Sequence, residues 1–370
     1  MLTPQDELLC HQLPTTFDHV LQSDLRWTER VVLYGFDRTR SISVMTGLAR
    51  YPNRNLVDAY AMVTVDNKAH VIRLSREASL QQDGIASWAV GPYTYEIVEP
   101  LRRVRSSLEG NEHGIRLQLD FEGLFPAYEQ EPAFFRSRGR VQEDARRFYQ
   151  NGRISGWLEI DGERIDIDPS TWWFGRDHSW GTRHGGGGGN LPESGILQPR
   201  DIPDGVLYFM GIFQFDDHLV HFAQRENADG ERWHFEGSIL STLEDGGAAV
   251  PIVKVEHNME FRDEMRLVSG GSFTVHAADG SVRQLTITPK CDFWPGLAGY
   301  DHYRDYASGV WKGPSYVDGF TVDVTDLDEV KQVSMLSETF CEVREGDEVG
   351  HGLVEMVFMG RNARYGYDGW

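Results

Sequence analysis

The stretch Gly156-Trp157-Leu158-Glu159-Ile160-Asp161-Gly162-Glu163-Arg164-Ile165-Asp166 reads as a β-hairpin with a two-residue Asp-Gly turn. In that register Ile160 faces Glu163, Glu159 faces Arg164 and Leu158 faces Ile165, so charge meets charge and apolar meets apolar. The same arithmetic applied to Tyr60–Val65, Asp66-Asn67 and Lys68–Arg73 sets Tyr60 opposite Arg73, with apolar residues on both faces. Further Asp-Gly pairs at 83–84, 229–230, 245–246 and 279–280 punctuate short alternating runs from about Val31 onward. This is the pattern of an antiparallel barrel or sandwich. Two helical pieces are expected besides: a short N-terminal one, where Thr3-Pro4 precedes Asp6 and Glu7, and an insert over Glu143–Gln150 ending at Asn151-Gly152.

Just beyond the first hairpin lies the most distinctive run, Trp172-Trp173-Phe174-Gly175-Arg176-Asp177-His178-Ser179-Trp180-Gly181-Thr182-Arg183. It resembles the Arg-Asp-His-Ser-Trp-Gly-x-Arg motif of the hydroxyneurosporene synthase (carotenoid 1,2-hydratase) superfamily, and Gln150–Asp168 resembles the approach to that motif. The resemblance implies an all-β fold of two consecutive lipocalin-like antiparallel β-barrel domains with a few short helices, the motif lying at their junction. Gly185–Gly189 cannot hold a strand, so the division is placed there: residues 1–184 form the N-terminal domain and residues 185–370 the C-terminal one. With no membrane-facing apolar segment, a smaller soluble hydrophobe suits the chain better than a long polyene.

Length supports two domains, since 370 residues exceed what one core usually serves. The net charge of −21 disfavours phosphate backbones and anionic lipid heads, which bind basic stripes; neither nucleic acid nor a membrane is expected as a partner. Arg102, Arg103 and Arg105 lie beside Glu99 and Glu109 and read as a solvated face. Three widely spaced cysteines, Cys10, Cys291 and Cys341, fit neither a disulfide framework nor a zinc knuckle. Together with an N-terminus that lacks a basic and apolar leader, they indicate the cytoplasm. A homodimer is the default quaternary expectation.

Several side chains could carry chemistry. In an extended strand Asp177 and Ser179 share one face, His178 and Trp180 the other. Asp177 is a candidate general acid, or part of an ion-pair network with Arg176 and Arg183. His178 could move protons near neutral pH and Trp180 could wall an aromatic ligand, or both could be core. Arg73 beside Tyr60 would favour a phenolate base, unless the pair is a surface cation–π contact. Tyr208, Tyr300 and Tyr303 could pair with hydroxyls of a ligand, and Arg183 could anchor one. His218 and His221 beside Asp216 and Asp217 match no zinc template, and no nucleotide-binding loop is present; no metal and no cofactor are expected.

The function expected from these residues is a cofactor-independent lyase acting on a small hydrophobic or aromatic alcohol or phenol. It would be a hydratase or dehydratase, or catalyse a related elimination that breaks a C–C bond and releases a small aldehyde. Tyr60 would be the base, activated by Arg73, and Asp177 or His178 the proton donor. Two other classes stay open: a lipocalin-like carrier that binds without turnover, and an isomerase or cyclase of a terpenoid or polyketide.

Overall fold

The computed structural model describes residues 2–9, 22–78, 84, 87–137, 139–183, 204–262, 265–333, 336 and 338–369. Strands dominate at 66%, against 6% helix. The chain first forms β1 (Trp27–Asp37), β2 (Ile42–Tyr51), β3 (Leu56–Val65), β4 (Lys68–Glu77), β5 (Ser87–Val90), β6 (Tyr93–Glu99), β7 (Arg103–Leu108) and β8 (Ile115–Gly123). There follow β9 (Tyr128–Glu129), β10 (Ala133–Ser137), β11 (Arg140–Ile160), β12 (Glu163–Ile167) and β13 (Trp172–Thr182). Then come β14 (Gly205–Gln214), β15 (His218–Asn227), β16 (Arg232–Ser241), β17 (Ala249–Arg262), β18 (Leu267–Ala277) and β19 (Val282–Phe293). The last are β20 (Ser315–Asp323), β21 (Glu338–Glu345) and β22 (Glu348–Gly360).

Two compact units result. The first comprises Met1–Gly123, Ala127–Pro199 and Leu297–Glu329. Its strands run β20-β4-β3-β2-β1-β13-β11-β8-β7-β6-β5 in one curled sheet, with β9, β10 and β12 paired to β11. The second comprises Leu124–Pro126, Arg200–Gly296 and Val330–Trp370, and is a closed barrel of β14 to β19 with β21 and β22. A cut after residue 184 thus omits a return: β20 hydrogen-bonds β4 from Ser315↔Arg76 to Asp323↔Lys68 and draws residues 297–329 into the first unit. Gly185–Gly189 lies outside the described residues.

Both hairpins adopt the register that their turns dictate, Ile160↔Glu163 with Leu158↔Ile165, and Tyr60↔Arg73. Asp161 and Gly162 both have positive φ, as a type I′ turn demands. The Asp-Gly pairs at 229–230, 245–246 and 279–280 join β15 to β16, β16 to β17 and β18 to β19, while Asp83 lies outside the described residues. Pro4–Glu7 forms the short N-terminal helix, a single 3-10 turn capped by Thr3 and Asp6. Glu143–Gln150 is not helical. It runs inside β11, because pairing with β13 from Asp144↔Thr182 to Gly152↔Phe174 satisfies its backbone more completely than a two-turn helix could. Among the described residues no helix is long and apolar enough to cross a membrane.

Candidate functional site

Strands β1 to β4 and β13 are buried almost throughout on both faces, so their alternation sorts side chains into two buried environments. Val31, Leu33, Val44, Leu48, Val63, Leu74 and Phe174 face the apolar core of the first unit. Arg176 and His178 share the parity of Phe174 and face that core too. Arg30, Tyr60, Arg73 and Asp177 have the other parity.

On the core side, Arg176 donates to both carboxylate oxygens of Glu7, at 2.6 and 2.5 Å, and to Gln150 Oε1. Leu101 N–H donates to Glu7 Oε2 at 2.9 Å. His178 lies between two carboxylates, with Nε2 3.1 Å from Glu29 and Nδ1 3.7 Å from Glu7. Burial disfavours its charge, but the hydrogen bonds to Glu29 and Glu7 outweigh this and lift it to about 9. A histidine held charged in such a clamp, on the face opposite Asp177, is no proton shuttle for a ligand there. Trp180 stands edge-on to His178 at 5.5 Å and belongs to the same environment, so it does not wall a ligand at Asp177.

On the other face, Tyr60 Oη lies 3.3 Å from Tyr300 Oη, and Arg30 stacks over the Tyr300 ring at 4.4 Å. Asp177 acts electrostatically on Arg30, Tyr60 and Tyr300, and also on Arg183, whose Nη1 donates to Ser179 Oγ. Burial beside Arg30 and Arg147 pushes the Arg183 guanidinium down to about 9, which leaves it charged at neutral pH. Asp58 accepts the Gly309 N–H at 2.6 Å, and burial raises its carboxyl to about 7. These partners come from one return of the chain, 297–309, against β1 to β3 and β13.

The expected activation of Tyr60 by Arg73 does not follow from their register. Arg73 donates to the Tyr303 carbonyl at 2.8 Å and to Asp318 at 2.7 Å, and stacks between Tyr306 and Phe320. Its charge is committed there. Burial lifts the Tyr60 phenol well above 10, with Tyr300 adding to the rise, so Tyr60 is a neutral hydrogen-bonding group and not a base. The cation that bears on it is Arg30. Arg30 and Asp58 were legible only as charges inside otherwise apolar runs, Arg30-Val31-Val32-Leu33 and Val57-Asp58-Ala59. Tyr303 gives its carbonyl to Arg73 and its hydroxyl to Glu329. Tyr208 lies in the second unit on β14, beneath Arg225.

In the second unit His218, Glu345 and Glu348 converge within 4.8 Å. Arg283 already occupies that convergence, 3.2 Å from His218 Nε2 and 2.8 Å from Glu345 Oε2, which disfavours a metal there. His221 is buried, which lowers its imidazole to about 3 and makes it a neutral core residue.

The fold is similar to that of a putative AttH from Nitrosomonas europaea, with a TM-score of 0.54 at 13% identity over 94% of this chain and 96% of that one. Kievitone hydratase from Nectria haematococca gives 0.49 at 10% identity over 90% and 89%, and CghA with Sch210972 gives 0.49 at 11% over 96% and 97%. At such identities the likeness shows the fold alone. No curated protein sequence matches the chain. The resemblance of the 172–183 run to hydroxyneurosporene synthase accordingly holds for the lipocalin-like architecture, without a sequence-level assignment to that superfamily. The profile that does match spans residues 2–368, and by it the chain belongs to DUF8625, a family of unknown function.

Proposed function

We propose that the Asp177 face of the first unit is an acid–base site that eliminates water from, or adds water to, a small hydrophobic or aromatic alcohol or phenol. One observation carries the reading: Oδ1 of Asp177 is buried and has no hydrogen-bond partner among the described residues, beside a buried arginine and a pair of phenols. An acceptor withdrawn from water without a donor is costly unless a ligand supplies one. Asp177 itself is only half-buried, so this is also where the cluster meets its surroundings.

In the dehydrating direction the Asp177 carboxylate takes a proton from the carbon next to the carbinol. The C–O bond breaks and the hydroxyl leaves as water with the proton of Tyr60. Arg30 stabilises the transient phenolate, and Tyr300 hydrogen-bonds it. The proton on Asp177 then returns to Tyr60, so the net change is one alkene formed and one water released. Arg183 would hold a polar end of the substrate. Tyr60 thus acts as the acid and Asp177 as the base, the reverse of the assignment that the residue types first invite.

The test is incubation of the purified protein, without added cofactor, with terpenoid, steroid and phenolic-dimer alcohols, followed by mass spectrometry. A change of one water that falls about 10²–10⁴-fold in a folded Asp177→Asn variant is expected. Undiminished turnover in that variant would remove Asp177 from the mechanism. Ligands bound but unaltered across the panel would make the protein a carrier.

A further inference from the structure

The interior of the closed barrel is an apolar core with buried polar side chains toward the C-terminal end of β15. Along β15, Val220 and Phe222 face inward and are followed at the same parity by Gln224 and Glu226; on β17, His257 stands between Val255 and Met259. These three polar side chains are buried, with Glu226 at 1% and Gln224 at 3% exposure. Tyr365, which follows β22, closes a relay over them. Its hydroxyl is 2.6 Å from His257 Nδ1, and His257 Nε2 is 3.0 Å from Glu226 Oε1. A carboxylate can only accept, so His257 donates from Nε2, and in the neutral imidazole Nδ1 accepts the hydrogen bond from the tyrosine hydroxyl.

The relay leaves two acceptors over. Gln224 donates its amide to Glu226 Oε1 at 2.6 Å, an orientation that the carboxylate enforces, and so presents its own Oε1 elsewhere. Among the described residues that oxygen and Glu226 Oε2 are buried without a hydrogen-bond partner. Arg364 stands 3.6 Å from Glu226 Oε1 and already balances its charge, so the missing donor is a neutral one. The surroundings are aromatic: the Phe209 ring lies 4.5 Å from His257, and Phe273 packs against Phe209 and Phe222. At the rim Phe261 and Tyr365 meet edge to face at 4.9 Å and are only partly buried. An eight-stranded barrel is just wide enough to be filled by its side chains or to hold one small ligand.

We propose that this end of the barrel is a second ligand site, for a small phenol whose ring enters past the Phe261 and Tyr365 rim and whose hydroxyl donates to Glu226 Oε2 and accepts from no cation. It is independent of the Asp177 face, because every group that defines it lies in the second unit.

The experiment compares 4-ethylphenol with ethylbenzene, which has the same shape without the donor, on the full chain labelled with ¹⁵N-histidine. The His257 imidazole signals, identified by their loss in His257→Gln, report the site locally. Saturable shifts with at least tenfold tighter binding of 4-ethylphenol are expected, and that preference should vanish in Glu226→Gln. Should that variant not fold, Gln224→Leu is read in its place, with the preference expected to shrink. Equal affinity for the two probes, no shift of His257 with either, or a preference undiminished in the folded variant would overturn the proposal.

Discussion

Two fully buried carboxylates in the first unit are driven in opposite directions, and the difference is the number of donors. Burial raises both. At Glu7 it is outweighed by the Arg176 charge and by hydrogen bonds from His178 and Arg176, and the carboxyl falls from 4.5 to about 2. Asp58 has the Gly309 N–H and a weaker hydrogen bond from Tyr51, with the Arg30 and Arg54 guanidinium groups only at longer range, so burial prevails and lifts it from 3.8 to about 7. Glu7 therefore lends stability above pH 4.5 that is lost as pH falls through 2. His178, raised from 6.5 to about 9, lends stability complete below 6.5 and lost as pH rises through 9. Asp58 acts in the same direction as His178, its share complete below 3.8 and lost through 7. Thermal melts should thus show the unfolding temperature falling between pH 6.5 and 9, and a flat profile there would contradict the clamp. Glu7→Gln leaves Arg176 buried without its carboxylate and should cost about 3–5 kcal/mol in denaturant titrations.

At the scale of strands, the local features are legible in the sequence, since a two-residue turn fixes register and period-two alternation fixes sidedness. These two rules alone place Asp177 and His178 on opposite faces and Tyr60 opposite Arg73, as the structure has them. Opposition in register does not decide where long side chains reach, and Arg73 reaches across to β20 and the Tyr303 carbonyl, which no local pattern shows. The segment Glu143–Gln150 misled because its helix-forming composition lacks a 3.6-residue apolar stripe, so tertiary pairing with β13 overrode it. One glycine on β2 tests how closely these strands hold the site. Gly47 pairs with Tyr60, and a Cβ there would lie 2.5 Å from the Tyr60 hydroxyl. Gly47→Ala should displace that ring and its contact with Tyr300. The expected outcome is a fall of at least about tenfold in the proposed turnover, within the range for losing one acid–base group, while the far-ultraviolet circular dichroism stays that of the parent. Retained turnover would separate Tyr60 from the chemistry.

At the scale of the whole chain, the site depends on a segment that returns across more than two hundred residues. Tyr300 and Tyr306 come back to strands formed near the N-terminus, and β20 covers the free side of β4. Motifs could not reveal this, because Tyr300 and Asp318 lie in stretches with no distinctive pattern and the contacts they make are set by the closing of the sheet. The division of the chain after residue 184 rested on a glycine tract and had no means of seeing a strand that belongs to an earlier sheet. The consequence is open to test with a fragment of residues 1–199. It lacks β20, so β4 becomes an edge with unpaired backbone groups. It also lacks Tyr300, Tyr306, Asp318 and Gly309, so Arg30, Arg73 and Asp58 lose the groups that make their burial tolerable. The fragment should therefore aggregate or melt without cooperativity, whereas the full chain is expected to melt cooperatively. Supplying residues 297–329 through a flexible linker should restore a soluble, cooperatively melting unit, because that segment brings the missing strand, the tyrosines and the partner of Arg73 together. A fragment of residues 1–199 that is monomeric and melts as sharply as the full chain would mean that the return is dispensable to the first sheet, and that the cluster around Tyr60 is held by β1 to β4 and β13 alone.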